Sequence, residues 1–190
     1  MQELSENIFE LCKRGNIELR VKWIPREFIS FADRLSKQIA HDDWETTPEF
    51  FEYLHESWGP FTIDRFADEQ NAKITRFNSK FHCPKSEGVN AFHFSWAREN
   101  NYLVPPVHLV PDTLKHLQFY QGRGVLVVLY WESAIFYPLI LDSSSNFQPF
   151  IKDAIYFDDG RLCVIQGANV NCYIGSSRFK SGILAMRLEF

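Results

Sequence analysis

The chain has 190 residues, 45% hydrophobic and 16% aromatic, with 18 phenylalanines and a net charge of −4. That length holds one ordinary domain, or one domain plus a fragment, and the composition is that of a folded protein. The slight acidity excludes a global attraction to nucleic acid or to a membrane, so any nucleic-acid contact must come from a local basic patch. The longest apolar runs, Val125–Trp131 and Ala134–Leu141, fall far short of the ~20 residues that a spanning helix needs. The acidic start, Met1-Gln2-Glu3-Leu4-Ser5-Glu6, has no signal-peptide form. Cys12, Cys83, Cys163 and Cys172 show no CxxC spacing, which predicts reduced thiols and an intracellular protein, nuclear or cytoplasmic.

Leu4, Ile8, Leu11 and Cys12 recur at helical spacing and predict an amphipathic helix over residues 4–13, ended by Gly15-Asn16. Ile17, Leu19, Val21 and Trp23 alternate with charged residues, which predicts a half-buried strand closed by Pro25. Ala32, Leu35 and Ile39 predict a second helix at about 30–40. His41-Asp42-Asp43-Trp44 reads as the seam between two units, residues 1–40 and 41–190. Thr47 caps the next helix, with Pro48 at its first position and Phe51, Leu54 and Trp58 facing the core. Gly59-Pro60 stops it, and Phe61–Phe66 is the following strand.

Residues 68–101 are polar and irregular, a long loop unless a helix lies near Val89–Ala97. Tyr102–Val104 predicts a short buried strand, and Pro111-Asp112 starts a helix to about Tyr120. Gly124–Trp131 has no polar alternation and should be the central strand, beside those at 61–66 and 102–104. Ser133 should cap a helix reaching Leu141. A β-rich tail begins at about residue 154, with a hairpin around Asp158-Asp159-Gly160-Arg161. Its terminal strand, Ile183–Phe190, sets Leu184, Met186, Leu188 and Phe190 on one face. The class is α/β.

The most distinctive stretch is Asp43-Trp44-Glu45-Thr46-Thr47-Pro48-Glu49-Phe50-Phe51, then Trp58-Gly59-Pro60-Phe61-Thr62-Ile63-Asp64, then Asn71-Ala72-Lys73 and Arg76-Phe77. A capped helix, a turn and a strand ending on a carboxylate begin a nucleotide-type pocket in an open α/β sheet. With Trp96, Pro105-Pro106 and Val127–Leu129, this stretch resembles the phage-type DNA adenine-N6 methylases. Residues 17–37, including Ala32-Asp33-Arg34-Leu35-Ser36, resemble the last strand and helix of a retroelement ribonuclease H domain. Ribonuclease H followed by a methylase-like domain is similar to the polyprotein of DIRS-type, tyrosine-recombinase retroelements, which also carries a reverse transcriptase. The fold so implied is a βα remnant of ribonuclease H, then a small Rossmann-like, methyltransferase-like sheet with helices on both faces.

The ribonuclease H resemblance makes Asp33 the final metal-binding carboxylate. Two Mg²⁺ ions need several carboxylates from separate elements, and their carriers are not in this sequence. Read from the residues alone, Asp33 is a first-turn acid favouring a helix N-terminus. The methylase resemblance sets Asp64 beside the methionine part of S-adenosylmethionine, at the end of the pocket that Thr47 and Pro48 open. The plainer reading of Asp64 is a solvated strand-end acid paired with Arg65.

The methylase motif has Asn or Asp before Pro-Pro and Tyr or Phe after it, to accept from the target amine and to stack on the flipped base. Here Val104 and Val107 flank Pro105-Pro106, so both functions are lost unless the register shifts to Asn100 or Asn101. Lys73, Arg76, Lys80 and Lys85, interleaved with Phe77 and Phe81, form either a phosphate and stacking surface for DNA or an RNA–DNA hybrid, or a solvated loop anchored by two core phenylalanines. No metal-ligand spacing is present among the histidines and cysteines. The expected protein is a retroelement-derived, nucleic-acid-associated module without catalysis and without a bound cofactor. The alternatives are an active S-adenosylmethionine-dependent methyltransferase, or an interaction module that packs on an upstream ribonuclease H or on itself.

Overall fold

The computed structural model describes residues 2–20, 22–23, 44–167 and 172–190. The chain divides into two units, Met1–Gln38 and Ile39–Phe190.

In the first unit, α1 spans Gln2–Arg14, with Lys13 and Arg14 in its last turn near the negative end of the helix dipole. Asn16 takes the left-handed conformation, φ 50°, that ends the helix. The strand expected over 17–23 does not form among the described residues there. Ile17, Leu19 and Trp23 are 61%, 59% and 81% exposed. An alternating segment becomes a strand only where a neighbour completes its backbone hydrogen bonds, and these residues have no such ladder. The helix expected at 30–40, with Asp33, lies outside the described residues.

The second unit runs β1 (Trp44–Thr46), α2 (Pro48–Trp58), β2 (Ile63–Asp64), β3 (Asn78–Ser79), β4 (Gly88–Val89), β5 (Asn100–Leu103), α3 (Val110–Phe119), β6 (Arg123–Leu129), α4 (Tyr137–Ile140), β7 (Ile151–Phe157), β8 (Val164–Gln166) and β9 (Ile183–Glu189). It is a mixed α/β fold. The main sheet has the order β2-β5-β6-β9-β7. The first three strands are parallel, and β9 is antiparallel to both of its neighbours.

The sequence sets the layers. β6 is apolar without alternation because both of its faces are covered: Val125, Val127 and Leu129 point to one side, Leu126 and Val128 to the other. α2 presses Phe50, Phe51 and Leu54 onto the first side. α3 and α4 press Val110, Leu114, Leu117, Tyr137 and Ile140 onto the second. Leu184, Met186 and Leu188 of β9 share that second face, as their alternation requires.

Several expectations are corrected. β6 is central, but its neighbours are β5 and β9, and the strand at 63–64 lies one place further out. The tail hairpin does not form: β7 pairs with β9, and β8 pairs with β1 in a separate ribbon. A 3-10 turn at Gly160–Leu162 turns the chain out of the main sheet between β7 and β8. The helix after Ser133 is cut to one turn at Tyr137–Ile140, with Phe136 rather than Ser133 at its N-terminal boundary. The segment 68–101 carries a 3-10 turn at Ala91–His93 and two two-residue strands. It covers the outer edge of β2 through a bridge between Asp64 and Phe77.

Candidate functional site

In an open α/β sheet, ligands sit beyond the carboxyl ends of parallel strands. Here β2 ends on Asp64, and β5 runs straight into Val104-Pro105-Pro106. Between them lies a pocket of about 20 Å³, lined by Trp44, Glu45, Thr46, Asp64, Phe66, Asn71, Lys73, Tyr102 and Val104. That is room for about one water. The fold thus gathers Asp64, Lys73 and Val104, which the sequence nominated for three different tasks, into one place.

Asp64 is 3% exposed. Its carboxylate accepts the backbone N–H of Lys73 at 3.2 Å and of Phe66 at 3.4 Å. Burial pushes its carboxyl up to about 6, against the opposing pull of those two N–H groups and of the Lys73 charge. It is not the solvated acid paired with Arg65. Successive residues along a strand point to opposite faces, so Arg65 faces away from it. The Arg65 guanidinium donates to Asn101 Oδ1 at 2.7 Å, Asn78 Oδ1 at 2.8 Å and the Ser95 carbonyl at 3.2 Å, and lies 5.3 Å over the Trp96 ring. Burial lowers its pKa to about 10. Arg65 is therefore a buried tie between β2, β5 and the irregular segment.

Lys73 spans the pocket. Its ammonium meets Glu45 Oε2 at 2.7 Å, with the two side chains only 13% and 23% exposed. Tyr102, wholly buried, donates from its hydroxyl to Thr46 Oγ1 at 2.9 Å, and burial raises its pKa far above the ordinary tyrosine value.

Thr47 and Pro48 do not line the pocket. Thr47 caps α2 by accepting from the Phe50 N–H, and its hydroxyl donates to the Leu162 carbonyl at 3.0 Å. Pro48 opens the helix without needing an N–H. Both serve the helix, and the pocket wall comes from the residues just before them. Val104 lines the pocket and Val107 packs into the core on either side of the sheet. Pro105 is buried, and Pro106 accepts the Leu109 N–H at 2.8 Å.

No register slip brings an asparagine to the site. Asn100 pairs with Arg123 and Leu103 with Leu126 along the β5–β6 ladder. Asn100 donates to the Trp58 and Pro60 carbonyls, and Asn101 donates to the carbonyls of Trp96, Glu99 and Arg123. Both amides are committed at the amino-terminal end of the strand.

The basic run is dispersed. Arg76 is gripped by Glu87 (Nε–Oε1 2.5 Å) and by Glu99 (Nη2–Oε1 2.9 Å), and these two carboxylates hold its pKa above the ordinary arginine value. Phe77 is 4% exposed, so its faces are closed to a base. Phe81 is 73% exposed, and Lys80 lies 5.3 Å over its ring. One of the two phenylalanines anchors the core and the other faces solvent. Among the described residues, no group of three or more His, Cys, Asp or Glu could hold a metal ion, and no helix is long and apolar enough to cross a membrane. The four cysteines are free thiols, with Cys163 and Cys172 buried.

A nucleoside-sized cofactor needs a cleft of some hundreds of Å³. The one-water pocket does not fit S-adenosylmethionine as it stands. Sequence reasoning missed Glu45 and Tyr102 as site residues, which meet the site only through pairing and packing. It could have rejected the Asp64–Arg65 pair from strand alternation alone. No protein-family model matches the chain, and no curated protein is significantly similar to it.

Proposed function

We propose that residues 44–190 are a methylase-like module that has lost its catalytic groups, within a retroelement-derived, nucleic-acid-associated polyprotein segment. The observation that carries this reading is Val104 at the pocket wall. It stands at the carboxyl end of β5, where an amino methylase needs a hydrogen-bond acceptor, and it offers none. The sheet supports the same reading. The parallel strands β2, β5 and β6 form an open sheet with β9 antiparallel between β6 and β7, which is compatible with a Rossmann-like ligand site at the carboxyl ends of the parallel strands. The retroelement origin rests on the order of the two sequence resemblances. A reverse transcriptase encoded upstream would support it, and an unrelated neighbour would remove it. Of the basic run at 73–81, Lys80 with Phe81 is the part that stays open to solvent and could meet nucleic acid.

The test is cofactor binding and methyl transfer by the unmodified chain. A ligand at 100 times its dissociation constant stabilises by ~2.7 kcal/mol, so a thermal shift reports binding directly. We expect no shift with S-adenosylmethionine and no methylation of adenine in DNA. Restoring chemistry requires at least Val104→Asn with Val107→Tyr. Loss of an aligned polar group costs ~10²–10³ in rate, and loss of a stacking ring costs a further ~1–3 kcal/mol. Methyl transfer by the natural chain at an ordinary enzymatic rate would overturn the reading.

A further inference from the structure

We propose that the cleft beyond the carboxyl end of β6 is a binding site for an alkylammonium group, a primary ammonium on an aliphatic stem, held between the carboxylates of Glu132 and Asp142 over Tyr137, Pro138 and Leu141. It lies in a different part of the fold from the pocket at Asp64, and it does not rest on the methylase reading.

The cleft has room for a ligand. It is open, with a volume of about 320 Å³, against about 20 Å³ for the pocket at Asp64. Small-molecule sites start at roughly 300 Å³. Its place is that of ligand sites in open α/β sheets. β6 runs parallel to β5, and the chain that leaves its carboxyl end at Leu129 forms the walls, from Glu132 through α4 to Ser145.

The lining sets the chemistry. Two carboxylates and two serines meet three largely apolar residues, and no lysine, arginine or histidine lines the cleft. An anion would meet two like charges there. A neutral apolar ligand would strip water from the carboxylates and return nothing. A bare metal ion needs more ligands than two carboxylates, and among the described residues no group of three or more His, Cys, Asp or Glu could hold one. The lining suits a cation that is itself partly apolar. Its ammonium has three donors for the carboxylates, and its stem lies on Pro138 and Leu141 beside the aromatic Tyr137. Leu139 and Phe147, exposed at 42% and 44%, extend the apolar surface, Phe147 through its bridge to Leu141.

Both carboxylates are held in place. The Tyr130 hydroxyl donates to Glu132 Oε1 at 3.1 Å, and its ring is braced by Tyr137 at 5.9 Å and Tyr156 at 4.6 Å. Asp142 Oδ1 accepts the N–H of Asn146 at 2.9 Å and of Ser144 at 2.8 Å. Those two N–H groups hold the Asp142 carboxyl below the usual carboxylate range, so it is charged at neutral pH. The floor is rigid, because Tyr137 is buried in the second core cluster with Leu141 packed against it.

The experiment titrates the full chain with butylammonium, with n-butanol as its neutral counterpart, and with a lysine whose backbone amine and carboxyl are blocked. Backbone amide NMR signals are followed over residues 132–146. We expect saturable shifts there with both ammonium compounds, and about tenfold weaker binding of butanol, which forgoes both carboxylates. Glu132→Gln and Asp142→Asn should each weaken ammonium binding about threefold to fivefold, the loss of one partly exposed ion pair, and leave butanol unchanged. The amide oxygen in Asp142→Asn still accepts from Ser144 and Asn146, so the loop keeps its shape, and unchanged β6 signals check the fold. Tighter binding of the blocked lysine assigns the ammonium to a lysine side chain, and tighter binding of butylammonium assigns it to a free amine; either supports the site. No saturable shift, equal binding of butanol, or undiminished ammonium binding in either variant overturns the proposal.

Discussion

Asp64 is a carboxylate that the fold buries, its oxygens accepting the backbone N–H groups of Phe66 and Lys73 and making, among the described residues, no ion pair. Its carboxyl is raised from 3.8 to about 6 by burial. A raised carboxyl pKa means that the folded state holds the proton more tightly than the unfolded one. The stabilisation from that proton is full below pH 3.8 and is lost as pH rises through about 6. A shift of this size corresponds to about 3 kcal/mol. Asp64→Asn removes the titration and keeps one of the two acceptor oxygens. We expect it to be more stable than the parent by about 1–2 kcal/mol above pH 6. The advantage should vanish below pH 4. Denaturant unfolding across pH 3.5–8 checks this, and a parallel pH dependence in the two proteins would contradict it. The acid's position was legible in the sequence, since a strand ending on Asp before a polar turn is a local pattern. Its burial was not, because Glu45, Lys73 and Tyr102 arrive from distant parts of the chain.

At the element scale, the parallel core is held by close approach and by helix packing. Gly124 in β6 sits against β5, where an added Cβ would run into the Asn101 carbonyl and lie 2.9 Å from the Asn101 Cβ. Gly124→Ala should destabilise by about 1–3 kcal/mol, the usual cost of overpacking, because a backbone carbonyl cannot yield as a flexible side chain does. Leu54 on α2 is wholly buried among Phe61, Tyr102 and β6 residues. Leu54→Ala should cost about 2–5 kcal/mol in chemical denaturation. Little effect in either variant would show that these contacts are loose. The strong elements, α2, α3 and β6, were legible from caps and apolar runs. The hairpin at Asp158–Arg161 was misread because a turn signal says where the chain reverses, not which strand receives it.

For the molecule as a whole, the two core clusters are built, among the described residues, from positions between 44 and 190. A fragment starting at Ile39 should therefore unfold in one cooperative transition, with a midpoint within a few degrees of that of the full chain. A large loss of cooperativity would show that the first unit completes the core. The sequence by itself determined the α/β class, the central place of β6, the capped start of α2 and the absence of an acceptor at residue 104, because these follow from local periodicity and residue identity. Only the tertiary structure decided the strand order, the Lys73–Glu45 ion pair at the pocket wall, and the pairing of Arg76 with two carboxylates. Those depend on which segments meet across long stretches of chain, where many pairings satisfy the same local pattern and burial selects among them.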